Sequence, residues 1–292
     1  MQTITAPATT AAPAERHEIH IDGHRHVYIT AGDPSAPPLL MIHGWLSHKR
    51  VWRHTIDILS DRYYCIALDQ LGLSESAKPA DGDYSIAGQA GRALKLMDAL
   101  GHDRFTLMGH SMGGQAALCL AATLAPTRVV KLVDVAGVAT GKLTPYSNYM
   151  LNWRVRPAMY MPWMWDVERA LSRVPLYARF ERVNGYDNIW ALPYETIAED
   201  IEMSLVDGAH RSMYLMGQAI TTTDLSPVLG QIQAPTLILF GKQDEVVPAL
   251  EGVNAHKLIP NSELVLFDHC GHHPMNEQPT QYAAALRRFL FD

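Results

Sequence analysis

Apolar residues in this chain fall into short continuous runs separated by amphipathic stretches. Residues 17–21 and 25–31 are strand-like and flank Asp22-Gly23, a two-residue turn signal, which predicts a hairpin. Beyond it, the runs 39–42, 63–68, 105–108 and 129–135 are fully apolar or nearly so, while 51–59, 86–100 and 115–124 carry helical spacing. Continuous apolar strands alternating with helices imply a parallel sheet covered on both faces, and right-handed connections make it doubly wound. The rhythm stops near Gly137 and resumes near Pro235, with strands at 236–240 and 264–267 and helices at 250–258 and 281–291. The interval has no strand pattern and concentrates Trp153, Trp163, Trp165 and Trp190 with many Met and Tyr residues. It reads as a helical insertion over one end of the sheet. The expected organisation is a flexible tail over 1–14, an α/β core formed by 15–139 and 229–292, and a helical cap over 140–228.

Composition narrows the classes. A chain of 292 residues with 48% hydrophobic and 18% charged residues is globular, and its net charge of −6 argues against nucleic-acid or anionic-membrane partners. The 3 cysteines form no disulfide framework or zinc pair. No apolar run approaches the roughly 20 residues of a membrane span, and residues 1–14 lack the basic and apolar parts of a secretory signal, so a cytoplasmic location is expected. His17, His20, His24 and His26 cluster in the hairpin, but without a supporting carboxylate pattern they read as exposed edge-strand residues, not metal ligands.

Chemistry enters at Gly109-His110-Ser111-Met112-Gly113. This G-x-S-x-G follows the strand 105–108 and precedes a helix, the strand–turn–helix setting of a nucleophile elbow. Such a turn is too tight for side chains at its flanking positions, and it stands Ser111 at a helix N-terminus that favours developing negative charge.

With His43-Gly44, Trp52, Asp69-Gln70-Leu71-Gly72, Gly241-Lys242-Gln243-Asp244 and Gly271-His272, this elbow gives a sequence that resembles the α/β-hydrolase superfamily, specifically its small cap-bearing esterase and lipase-like branch. The resemblance covers nearly the whole chain and implies an α/β-hydrolase fold, a mostly parallel doubly wound sheet with a helical cap insertion. One departure is Ser74, where the loop after Asp69 usually carries a second glycine; that loop shapes the sheet end and carries no chemistry.

A serine hydroxyl needs a base, and histidine suits neutral pH. Of the 14 histidines, His272 follows the last strand and heads a segment, 271–279, that is similar to the family's G-H-x-P-x-x-E-x-P, with His273 and then His269 as alternatives. Asp244, after the strand 236–240, stands where the family keeps the acid that orients the base, with Asp134 as the backup and Glu245 one residue off. The order Ser, Asp, His is that of the fold. Oxyanion donors are expected at the backbone N–H groups of Met112 and Trp45, with His43 bracing the loop by hydrogen bonds and not acting as a base.

The expected activity is hydrolysis of a small-molecule ester with an apolar acyl or aromatic group, without metal or other cofactor. Trp163, Trp190 and His110 are the candidate substrate-binding side chains. Hydrolysis of a carbon–carbon bond in a diketone is the alternative, although the Asn-bearing loop usual in such enzymes is not found after His43-Gly44. A non-catalytic ligand-binding protein on the same scaffold is a third class. Ser111 at the elbow, in place of aspartate, argues against dehalogenase and epoxide-hydrolase chemistry, and His43-Gly44-Trp45-Leu46 in place of H-G-G-P-G argues against proline iminopeptidases. Oligomeric state is not encoded in these patterns.

Overall fold

The computed structural model describes residues 14–192 and 194–291. The tail expected over 1–14 lies, apart from residue 14, outside the described residues. Eight strands form one sheet: β1 (Glu15–Ile21), β2 (His24–Ala31), β3 (Pro38–Ile42), β4 (Tyr64–Leu68), β5 (Phe105–His110), β6 (Val129–Val135), β7 (Thr236–Gly241) and β8 (Ser262–Phe267). Their order is β1-β2-β4-β3-β5-β6-β7-β8. The β1–β2 and β2–β4 pairings are antiparallel and every other pairing is parallel.

Strand alternation sorts the apolar runs onto two faces. Leu40, Ile42, Ile66, Leu68 and Leu107 pack on one side, against α2 (Ile86–Ala99) and α3 (Met112–Cys119). Leu39, Met41, Cys65, Ala67 and Met108 pack on the other, against α1 (Arg53–Leu59) and the C-terminal helix Pro279–Phe291. Burying one such Leu or Ile side chain stabilises the fold by about 1.5–3 kcal/mol. Helix α2 starts where Ser85 caps it, its side chain accepting from the Gly88 N–H at 3.0 Å.

Between β6 and β7 the described residues are helical and contain no strand. The helices are α4 (Pro145–Tyr149), α5 (Arg156–Tyr160), α6 (Trp163–Leu171), α7 (Pro175–Arg182), α8 (Tyr194–Ser204) and α9 (Ala209–Thr222). Helix α10 (Leu250–Leu258) then joins β7 to β8. No helix among the described residues is long and apolar enough to cross a membrane.

Of the hairpin histidines, His20 is exposed as expected and His17 and His24 are half-buried, but His26 departs from the expectation. β1 is the sheet edge, but His26 lies on β2, paired on both sides, and is fully buried. Its Nδ1 bonds the His24 carbonyl at 3.0 Å, and burial pushes its pKa down to about 4. Among the described residues, no group of three or more His, Cys, Asp or Glu is placed to hold a metal ion.

Candidate active site

The carboxyl ends of β3, β5, β7 and β8 converge on one cavity of about 130 Å³. Ser111, His110, Trp45, His272 and His273 line it from the core, and Tyr146, Met150, Arg182 and Tyr186 from the helical segment. Ser111 has φ 57° and ψ −121°, a backbone conformation that L-residues rarely hold. The turn survives because Gly113 brings α3 against β3: a Cβ there would collide with the carbonyls of Ile42 and His43. Met112, the first residue of α3, follows Ser111 directly, so its N–H belongs to the unpaired first turn of the helix.

His272 and Asp244 meet in the structure. Nδ1 of His272 lies 2.7 Å from Oδ2 of Asp244, and both side chains are buried. The other Asp244 oxygen accepts from the N–H groups of Val246 at 2.8 Å and Val247 at 2.9 Å, which fixes the carboxylate. His272 Nε2 bonds no other described residue. Ser111 lines the same cavity without a hydrogen bond to His272 among the described residues. The backup acid, Asp134, lies elsewhere, buried at the end of β6 against Gly114 and Gly137. Burial first, and the nearby Glu251 second, push its pKa up to about 7.

The loop after β3 is held against the elbow. Gly44 approaches so closely that a Cβ would stand 2.9 Å from that of Ser111. Gln70 fastens the loop to β4, its backbone N–H donating to His43 Nε2 at 3.2 Å and its side chain to the His43 carbonyl at 2.6 Å. The other His43 nitrogen bonds the Gly44 carbonyl, so the ring is neutral and spanning, and burial lowers its pKa to about 4. Below it, the buried Lys49 ammonium donates to Asp69 at 2.6 Å and lies 3.2 Å from Glu75. From above, the helical segment grips the same loop. Trp45 Nε1 donates to the Met213 carbonyl at 2.8 Å, the Ser204 hydroxyl to the Leu46 carbonyl at 2.7 Å, and His48 meets Asp200 at 3.1 Å.

His110 lies in the cavity wall with Nε2 2.9 Å from the His272 carbonyl; burial pushes its pKa down to about 3, so it is a neutral donor. His273, the alternative base, is half-buried and stacked on Tyr186 with centroids 4.6 Å apart, and desolvation by its surroundings holds its pKa well below the usual histidine range. The structure does not bring Trp163 or Trp190 to the cavity. Both are largely exposed, and Arg179 covers the Trp190 ring at 5.4 Å. The reason for Trp163 is helical phase: Trp165, two residues on in α6, takes the inward position.

Sequence reasoning missed several contributors. Glu277 accepts from the N–H groups of Gly271 at 3.0 Å, His273 at 3.2 Å and Asp187 at 2.7 Å, bracketing His272. The signal was present, since Glu277 is the acidic position of the 271–279 segment. Tyr146, Arg182 and Tyr186 had no signal beyond their place in an aromatic-rich stretch. A second cavity of about 180 Å³ lies among the helices and shares Leu46, Met150, Glu181 and Arg182 with the first.

Comparison with known proteins agrees with this architecture. A family model described as alpha/beta hydrolase fold matches residues 37–184 and 189–279. A 2-hydroxy-6-oxononadienedioate/2-hydroxy-6-oxononatrienedioate hydrolase of Paraburkholderia xenovorans is 26% identical, the match covering 92% of each chain. A pimeloyl-[acyl-carrier protein] methyl ester esterase of Nitrosomonas europaea is 28% identical over 86% of this chain and 94% of its own. Among solved structures, a bacterial membrane phospholipase A superposes with a TM-score of 0.78 at 26% identity, covering 95% of this chain and 86% of that one.

Proposed function

Because this chain belongs to the alpha/beta hydrolase family, we propose that it is a serine hydrolase that cleaves carboxylic esters through an acyl-enzyme. Ser111 Oγ attacks the acyl carbonyl while His272 Nε2 takes its proton. Asp244 keeps the proton of the neutral imidazole on Nδ1 and stabilises the imidazolium that forms. The N–H groups of Met112 and Trp45 receive the tetrahedral oxyanion; losing one such donor costs roughly 2.7–4 kcal/mol of barrier. The imidazolium then returns its proton to the departing alkoxide, and water repeats the sequence to release the acid.

The observation that carries this reading is the 2.7 Å His272–Asp244 contact beside a strained Ser111 in one cavity. We read residues 140–228 as a cap whose Tyr146, Met150 and Tyr186 bind the acyl group, with the second cavity as room for a longer one. His110 serves as a neutral wall residue. Trp163 and Trp190 have no part in the pocket.

A second reading, cleavage of a carbon–carbon bond in a diketone acid, uses the same three side chains. It is favoured by Arg182, which lines the cavity without an ion pair among the described residues and would hold a carboxylate. Turnover of an acyl-chain-length panel beside a diketone acid separates the two, with Ser111→Ala as the blank. A fluorophosphonate is expected to label Ser111 alone. Labelling elsewhere, or full activity in Ser111→Ala, would overturn the nucleophile assignment.

A further inference from the structure

Exposed tryptophan, leucine and phenylalanine are costly in water, and a protein that gathers them in one place keeps them for a contact. Of the sixteen large apolar side chains exposed among the described residues, twelve lie between Tyr149 and Trp190. They follow helical spacing on outward faces. On α6, Trp163, Val167 and Leu171 stand at i, i+4 and i+8 and are all exposed. Trp165 between them is buried, its Nε1 donating to the Val206 carbonyl at 3.1 Å. On α7, Leu176 and Phe180 are exposed one turn apart while Ala178 is fully buried. Trp163 is 61% exposed and Phe180 71%. An ordinary surface helix turns its polar side to water; these turn an apolar side as well.

The charge of the same stretch is opposite to that of the chain. Residues 149–190 hold six arginines, four carboxylates and no lysine, in a chain of net charge −6. Arg154 and Arg169 are ion-paired, and Arg179 donates to the carbonyls of Ile189 and Leu192. Arg156 and Arg173 are exposed and make no ion pair among the described residues. Aromatic and aliphatic side chains beside unneutralised guanidinium groups are the composition of a helix that lies in a membrane interface, where aromatic rings sit at headgroup depth and basic residues are drawn to an anionic surface. An isologous contact with a second copy would instead pair this net-positive stretch with itself.

We propose that the outer face of α6 and α7 docks on the surface of an anionic lipid bilayer. Trp163, Val167, Leu171, Leu176 and Phe180 enter the boundary between headgroups and acyl chains, and Arg156 and Arg173 pair with headgroup phosphates. Phe180 is next to Glu181 and Arg182, which line the cavity holding Ser111, so one helix separates the docked face from that cavity.

The test uses the full chain carrying Ser111→Ala, so that the result stands whatever bond the protein cleaves. Flotation with vesicles of phosphatidylcholine alone is compared with vesicles containing phosphatidylglycerol. The bound fraction is expected to be at least tenfold higher on the anionic vesicles and to fall with salt. W163S/F180S is expected to lower binding at least tenfold with an unchanged far-UV spectrum. R156Q/R173Q is expected to reduce binding on anionic vesicles to the level of neutral ones. Absence of binding by the parent, or equal binding by W163S/F180S, overturns the proposal. So does a sedimentation result in which the parent dimerises, W163S/F180S does not, and neither binds vesicles, because the face is then a contact between copies.

Discussion

Asp244→Asn is the sharpest probe of the proposed chemistry, because it keeps the shape of the site and alters one atom. Oδ1 of Asp244 already accepts from two backbone N–H groups, those of Val246 and Val247. An asparagine therefore keeps its oxygen there and turns its NH₂ toward His272; the opposite orientation would press that NH₂ against two donors. The amide then donates to Nδ1, which forces the imidazole proton onto Nε2, the atom that has to accept the proton of Ser111. The imidazolium also loses its counter-charge. Two unit charges at the observed 2.7 Å attract by roughly 6 kcal/mol at an effective dielectric of about 20. That matches a loss of about 10⁴ in kcat, since each factor of ten is 1.36 kcal/mol. Steady-state kcat with a short-chain ester, together with the rate of fluorophosphonate labelling, measures it. Asp134→Asn is the control, with an expected change of less than a few-fold, because Asp134 faces Gly114 and Gly137 and not His272. If Asp244→Asn stays within tenfold of the parent, or Asp134→Asn proves the more damaging, the assignment of the acid is wrong.

Lys49→Met is expected to cost about 3–5 kcal/mol in urea unfolding, because it leaves the Asp69 carboxylate buried without its cation; adding Asp69→Asn should recover much of the loss. Stability is also expected to fall with acid. His26, His43 and His110 are held by burial at about 4, 4 and 3, below the ordinary 6.5, so the unfolded chain binds protons that the folded one refuses, and their contribution is full above pH 6.5 and is lost as pH falls toward 4. Asp134, raised to about 7, has the opposite sign: the stability it lends as a neutral acid is lost as pH rises from about 4 through 7. Asp134→Asn should therefore steepen the acid-side loss and raise the melting temperature at pH 8; an unchanged profile would refute the buried-carboxyl account.

Much of the core was legible because the features that specify it are local in sequence. The elbow needs glycine at 113 for a backbone collision that any side chain would cause, and that need is written in the motif itself. His272 and Asp244 stand at the ends of apolar strands whose order a parallel sheet fixes. The helical segment was less legible, because its helices are apolar on two sides. Trp163 and Trp165 are two residues apart, and no period distinguishes which faces inward when both faces carry large apolar groups. Ion pairs between distant segments were illegible for another reason. Lys49 meets Asp69 across 20 residues and His48 meets Asp200 across 152, and sequence places a charge without placing its partner. His26 was misjudged because edge and interior strands look alike until the strand order is known.

The bonds that run from Ser204, Met213 and Asp200 to residues 45–48 mean that the helical segment proposed as a cap is not an exchangeable part. A segment grafted there from a relative would fit the core only with a hydroxyl donor, an accepting carbonyl and a carboxylate arriving at the same three places. Without them, the peptide carrying the Trp45 N–H keeps its ties to the core and loses those on its other side. Laboratory selection for new substrates on α8 or α9 would then alter turnover together with preference, because the surface proposed to choose the acyl group and the loop proposed to take its oxyanion share one set of hydrogen bonds. Broadened substrate range in this chain is expected to come more readily from Tyr146 and Met150, whose cavity-lining side chains stand outside that set.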